Sequence, residues 1–418
     1  MAKDGFWLLE WMDQEAVTSA RAAQRVVNDD GALRRLAQHA ESASSDLSPL
    51  NPRESGEVLV AGKGIDLSSE LECQHFDCRK KQVDRLFSRV WHYFDRIVVE
   101  CMSSHELPHA DVTDKEVRET IHHNVRLLLY LREIGAEQML LFREKPPACR
   151  IHARDHLSRA GLQADDKVIV NLTEALLRDG RVVATWPHGD HFHYSFHHPT
   201  FTHSAFGVLR DVVGSAPSPA AVARDVVEMY VSNLAMDVTV ARLLRAPFGS
   251  DLGYYDILLR SFGRKVTEDD VAFEIQLPFI EDIAPRDLIK LRHDERESFE
   301  RFRVALRKAI AERMKASGSA NASALAIEIE RDILRPAVLD VDQRLRAAQQ
   351  VLTRKAATSL AVGAFATTCG LVLGVPLLVG AGAAATAGAI QAEYKFIEES
   401  RDIRLTDMYF LWKAAHAH

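Results

Sequence analysis

The amino-acid sequence predicts an α/β protein: a mainly parallel sheet body with helices on both faces, followed by a long helical C-terminal arm containing an apolar Gly/Ala-rich helical hairpin. Three observations carry this prediction. Between Glu57 and Phe142, short apolar strands alternate with amphipathic helices, the order of a parallel sheet covered on both sides. Beyond Pro285, apolar residues recur at a helical period on strongly charged segments. Finally, Ala356–Ala392 is a run of 37 residues without one charge. The expected divisions are 1–56, a helical lead-in and linker; 57–283, the α/β body; and 284–418, the helical arm with its hairpin at 356–392.

Residues 5–40 read as a helical lead-in opened by Phe6, Trp7, Leu8, Leu9, Trp11 and Met12, and a Ser/Pro/Asn-rich linker, Glu41 to Gly56, follows. Val58–Ala61 is the first strand. Val83, Leu86, Phe87, Val90, Trp91 and Phe94 then lie on one face of a helix. Ile97–Val99 is the second strand. Thr113 and Glu116 have the spacing of a capping box, Val117, Ile121, Val125 and Leu128 face inward, and Gly135 follows the last turn. Met139–Phe142 is the third strand.

A helix around Asp166–Leu177 leads to Val182–Trp186 and a polar/aromatic alternation through Phe201, expected to be antiparallel. A long helix after Pro217 and Pro219 runs to about Arg245 and stops at Pro247 and Gly249. Phe273, Ile275 and Leu277 alternate as a strand ended by Pro278. In the arm, Leu288, Leu291, Phe299, Phe302, Leu306 and Ile310 form an amphipathic stripe, and Pro336 marks a kink or break in the next helix. The terminal Met408–Trp412 reads as a final strand or an anchor.

The uncharged stretch is split by Gly374-Val375-Pro376 into two halves, each near the lower limit of about 17 residues for a bilayer span. Gly370 and Gly374 have the GxxxG spacing, and Gly380, Gly382 and Gly388 continue the small-residue pattern that lets helices approach closely in lipid. Arg354, Lys355 and Lys395 flank it, consistent with both ends staying on the cytoplasmic side. A soluble hairpin clamped inside a globular domain satisfies the same composition. The expected membrane- or partner-engaging residues are Gly370, Gly374, Pro376 and Gly380, with a bilayer or a second copy of the chain as the partner.

The whole chain has 418 residues, 47 % hydrophobic and 27 % charged, as in ordinary globular proteins. A formal net charge of −7 argues against broad nucleic-acid binding, which needs a basic face. Five scattered cysteines and an N-terminus without signal-peptide order point to a reducing cytoplasm, with the arm peripheral to or inserted in the inner membrane.

Among chemical leads, Trp186–His198 holds five of the 18 histidines. On a strand, His191 and His193 share a face, so with His188 and Asp190 they are the candidate ligands of a zinc or similar ion that would activate a water. The order differs from His-x-His-x-Asp-His, and an exposed His-rich hairpin is the plainer alternative. His105-Glu106-Leu107-Pro108-His109 matches HExxH, but Pro108 breaks the helix that the motif needs. Cys73 and Cys78, with His75 between and Cys101 and Cys149 elsewhere, are loosely spaced for zinc. Gly62-Lys63-Gly64 follows the first strand, as a phosphate-binding loop would, without either complete glycine signature. The carboxyl edge of the sheet, with Lys63, Glu100, His105, Arg143, Glu144 and Lys145, is therefore the expected ligand face.

Leu277-Pro278, Asp287–Arg292, Phe299, Phe302-Arg303, the terminal Leu411-Trp412-Lys413 and Tyr93–Val99 together resemble a pattern of uncharacterised bacterial proteins. There too, a Leu-Pro strand leads to an amphipathic helix, a small-residue stretch and a terminal Leu-Trp-Lys. The resemblance implies a bacterial cytoplasmic origin and assigns no activity.

The function expected from these features is that of a non-enzymatic sensing or effector protein. Its α/β body would control an apolar hairpin that engages a membrane or partner, as a toxin or defence effector would need. Two alternatives come from other classes: a metal-dependent hydrolase using His188–His198, and a soluble structural or assembly protein whose hairpin is core.

Overall fold

Four parallel strands form the centre of the body: β1 (Val58–Ala61), β2 (Arg96–Glu100), β3 (Leu140–Arg143) and the two-residue strand Phe248–Gly249. A computed structural model describes residues 6–42, 49–50, 56–62, 64–67, 76–100, 111, 114–143, 151–188, 191–199, 205–209, 217–277, 283–317, 321–344, 346 and 406–416. The described chain divides into two compact units, Met1–Phe273 and Glu274–His418.

In the first unit, Val58–Ala61 is buried along its whole length, as a parallel strand covered on both faces must be. Val58, Val60, Val98 and Leu141 share one apolar cluster with Pro219–Leu244. Between β1 and β2 runs α4 (Phe76–Val90), whose Val83, Leu86, Phe87 and Val90 are buried as the periodicity predicts. Between β2 and β3 runs α5 (Lys115–Glu133), which buries Ile121, Val125 and Leu128. Its cap is Asp114, whose carboxylate accepts from Glu116 N at 2.7 Å, while Thr113 lies outside the described residues.

The lead-in forms α1 (Trp7–Gln14), α2 (Ala20–Val27) and α3 (Asp30–Ser42). Helices α1 and α2 pack against α5 and against α3, and Phe6 stacks on Phe142 of β3 at 4.7 Å between ring centroids. The lead-in therefore folds into the same unit as the sheet.

After β3 come α6 (Ala153–Arg159), α7 (Asp166–Asp179) and an antiparallel sheet of β4 (Arg181–His188), β5 (His191–His197) and β6 (Ala205–Leu209), in that order. The expected alternation is thus antiparallel, with an irregularity between Ala184 and Trp186. The small sheet is tied to α8 (Pro219–Leu244) by the Tyr194 hydroxyl, which donates to Asp225 at 2.5 Å. Ser218 caps α8, Pro219 fills its first turn, and Arg245 ends it in the left-handed region. The chain then enters β7 (Phe248–Gly249), which pairs with β1, and continues into α9 (Gly253–Ser261).

Phe273, Ile275 and Leu277 do not form the expected strand. Helix α10 (Glu268–Glu274) covers Phe273 instead, because Thr267 and Asp270 make a reciprocal cap. The Asp270 carboxylate accepts from Thr267 N at 2.8 Å, and the Thr267 hydroxyl accepts from Asp270 N at 3.3 Å. A local start signal outweighs a three-residue alternation.

The second unit holds α11 (Pro285–Asp294), α12 (Arg296–Ser317) and α13 (Ala322–Ile329). A π-helical turn, Glu330–Leu334, lies just before Pro336, and helical residues continue through 344. Pro336 therefore follows a local loosening of the backbone ladder and does not end the helix. The terminal aromatic segment is a helix, α14 (Tyr409–Ala415), and not a strand. Its Phe410 ring lies 5.1 Å from Phe299 and 5.9 Å from Phe302 of α12. Trp412 Nε1 donates to Asp342 at 3.2 Å, and His416 Nε2 lies 3.6 Å from the same carboxylate. Lys413 pairs with Glu295.

Candidate ligand-binding crevice

The strand order β3-β2-β1-β7 is that of a doubly wound sheet, three strands built outward on one side and the next placed on the other. In such sheets, ligands bind beyond the carboxyl ends of the strands where the order reverses, here between β1 and β7. The residues gathered at that point are unusually polar for a buried place.

Immediately after β1, Gly62 N donates to Gly249 O at 2.8 Å, and its own carbonyl accepts from Ile65 N and Asp66 N at 3.2 and 3.0 Å. This turn needs its glycines. A Cβ on Gly62 would lie 2.2 Å from the Phe248 ring, and Gly64, at φ +100°, would place one 2.3 Å from Asp251 Oδ1. Asp66, wholly buried, accepts from Glu100 N at 2.9 Å and so ties the turn to the end of β2.

Around the turn stand side chains from three helices. Arg79 of α4 is buried and donates to Leu67 O at 2.7 Å and to Asn124 Oδ1 at 3.2 Å. Burial lowers its pKa to about 10, with Asp66 acting in the opposite direction. Asp237 of α8 is 1 % exposed, and its Oδ2 lies 3.2 Å from the Cβ position of Gly62. Asp251, at the start of α9, pairs with Arg85 of α4. Burial nevertheless raises the Asp251 pKa, against the pull of Arg85 and Arg89.

Tyr255 of α9 completes the cluster. It is 1 % exposed, with its ring 6.1 Å from Phe248 and 6.3 Å from Tyr230. Its hydroxyl has no hydrogen-bond partner among the described residues. Burial holds its pKa well above the ordinary tyrosine value, helped by Asp237, Tyr230, Glu100 and Asp66, which are close enough to act on it. Desolvation likewise pushes Tyr230 up to about 12. A turn of glycines, a half-buried Glu100 and a deep carboxylate/phenol cluster thus meet where a doubly wound sheet places its ligand.

No family model, curated protein or solved structure matches this chain.

Of the expected edge residues, Glu100 ends β2 beside the turn and Arg143 ends the outer strand β3, its guanidinium donating to Phe142 O at 2.9 Å. Lys63, His105, Glu144 and Lys145 lie outside the described residues, as do the rest of the HExxH string and Cys73, Cys101 and Cys149. Cys78 is exposed. The β4–β5 register pairs His188 with His191 and Trp186 with His193, while Asp190 is not described. Among the described residues, no three His, Cys, Asp or Glu side chains stand together to hold a metal. Gly370, Gly374, Pro376 and Gly380 also lie outside them, and no described helix is long and apolar enough to cross a membrane.

Sequence reading missed Asp66, Arg79, Asp237, Asp251 and Tyr255. Two signals were present: Gly62-x-Gly64-x-Asp66 after a strand, and Asp237 as a charge on the apolar run Val231–Ala241. A separate surface depression of about 270 Å3, lined by Gly161, Gln163, Asp165, Val168 and Ser261–Gly263, holds only helix-capping chemistry, Asp165 accepting from Val168 N at 2.8 Å.

Proposed function

We propose that this chain is a sensing or effector protein. Its α/β body binds a small ligand at the β1/β7 crevice, and its C-terminal arm carries an apolar segment, 356–392, that engages a membrane or a partner. The observation that carries the reading is the turn Gly62–Asp66, set against buried Asp237, Asp251 and Tyr255 at the strand-order reversal. A rigid sheet edge with convergent polar groups is where small molecules are held in such folds.

The arm enters the reading through its ends. Asp342, before the segment, contacts Trp412 and His416, after it, so the described residues on its two sides meet. A helical hairpin with both flanks on one side of a bilayer has this requirement.

Flotation of the full-length protein with anionic phospholipid vesicles, together with dye leakage, tests the effector part. Binding that is lost in Leu373→Asp/Leu378→Asp supports it. Absence of both flotation and leakage, with an unchanged oligomeric state in the double variant, leaves the segment as internal core and favours the assembly-protein reading.

The pairing of His188 with His191, two residues before His193, favours a second reading, a metal-dependent hydrolase. Metal analysis of untagged protein decides it: stoichiometric zinc lost in His191→Ala/His193→Ala supports it, and substoichiometric metal removes it.

A further inference from the structure

We propose that helix α14 is held by a proton-operated clamp, in which the imidazolium form of His416, and not the neutral ring, fastens the helix to Asp342. The inference concerns the second unit alone and is independent of the ligand-binding reading of the body.

Both ring nitrogens of His416 face acceptors. Nδ1 lies 2.8 Å from Trp412 O, and Nε2 lies 3.6 Å from the Asp342 carboxylate. A carbonyl and an ionised carboxylate accept hydrogen bonds and cannot donate them, whereas a neutral imidazole carries a single N–H. Either tautomer therefore turns a bare lone pair toward one of the two oxygens. With the proton on Nδ1, Nε2 opposes a negative charge; with it on Nε2, Nδ1 opposes a carbonyl. Only the doubly protonated ring satisfies both contacts, and it adds an ion pair with Asp342.

The surroundings hold ring and carboxylate in this arrangement. The imidazole stacks on the Trp412 indole at 4.7 Å between centroids and 25° between planes, and a positive ring over that face gains a cation–π attraction. Its place at the end of α14 adds the attraction of the last helical carbonyls for a cation. On the other side, Trp412 Nε1 donates to Asp342 Oδ1 at 3.2 Å, and Arg346 pairs with Oδ2 at 2.8 Å. Among the described residues, the other charged groups of these two helices near the junction are paired, Lys413 with Glu295 and Asp340 with Arg344. The His416 side chain is 46 % exposed, so protons reach it from solvent.

The sign follows from the donor count. Docking is strongest above about pH 4, where an ordinary aspartate is ionised, and below about pH 6.5, where an ordinary imidazole is charged. It weakens as pH rises through the imidazole range. Because α14 follows the uncharged run 356–392 in the chain, acidification tightens the hold on the chain downstream of that run.

The test is amide exchange of the full-length protein at about pH 5.5 and about pH 8, on either side of the imidazole range, read as protection of residues 410–415 after correction for intrinsic rates. Protection should be about two- to fivefold greater at the lower pH, the scale of a partly exposed ion pair. His416→Phe keeps a ring on Trp412 that cannot be charged. Asp342→Asn keeps an acceptor for Trp412 Nε1 and loses the negative charge. In both variants the gain on acidification should vanish. Equal protection at the two pH values in the parent, or a gain of the parent's size in His416→Phe, overturns the proposal. Should His416→Phe fail to dock α14 at either pH, Asp342→Asn decides, and a gain that persists there overturns it equally.

Discussion

The Asp66 carboxylate accepts the Glu100 amide at 2.9 Å, which fastens the turn after the first strand to the last residue of the second. The same carboxylate lies near the buried Arg79 guanidinium and favours its charged form. One side chain thus holds two secondary-structure connections and compensates a charge that burial disfavours.

Asp66→Leu should therefore be severe. It leaves the Glu100 amide without its acceptor and Arg79 without its nearby negative charge, and one-sided removal of a buried charge partner costs about 3–5 kcal/mol. Urea unfolding of the two proteins measures it. A loss below about 1 kcal/mol would show that Arg79 is compensated by its bonds to Leu67 O and Asn124 alone.

Gly64→Val should destabilise through backbone and contact together. A β-branched residue at φ +100° is strained by about 1–3 kcal/mol, and its Cβ would collide with Asp251 Oδ1 and Leu252. Gly161, at φ +80° with open space around the Cβ position, is the internal control. Substituting it should show the backbone cost without the collision, so the difference between the two melting temperatures isolates the contact.

Asp251 gives a pH dependence whose direction follows from its raised pKa. Burial is the main cause, so the folded state holds the carboxyl proton more tightly than the unfolded chain does. Its contribution to stability is present below the unfolded aspartate value of about 3.9 and is lost as pH rises through the higher folded value. Asp251→Asn should accordingly be more stable than the parent near neutral pH, and the gap should close toward pH 3. A gap that widens on acidification would mean that Arg85 dominates over burial.

Phe410→Ala should open the terminal helix of the second unit. Phe410 is fully buried between Phe299 and Phe302, and removing such a ring costs about 3–5 kcal/mol. Lys413→Ala should cost only about 0–1 kcal/mol, because its pair with Glu295 is partly exposed. Limited proteolysis after residue 406 reads both, with rapid cleavage expected only in Phe410→Ala.

Much of the sheet body was legible because its strands and helices are long enough for a period to show. Val58–Ala61, Arg96–Glu100 and Leu140–Arg143 fall where short apolar runs stood between helical patterns, and Pro219–Leu244 begins and ends at its proline and stop signals. The fourth strand was not legible: Phe248-Gly249 is too short to carry alternation, and it had been read as a helix terminator. Its pairing with β1 nonetheless creates the strand-order reversal, so the crevice stayed hidden with it. Asp237 was invisible for a related reason, since it sits beside Gly62, which is far away in the chain. The terminal aromatic run failed differently: its side chains are buried by α12, a tertiary fact that overrides local strand preference.

The meeting of Asp342 with Trp412 and His416 joins two described stretches that are 70 residues or more apart in the chain. A single nick in the backbone between them should therefore release neither fragment, since the downstream piece stays pinned through Phe410, Trp412 and Lys413.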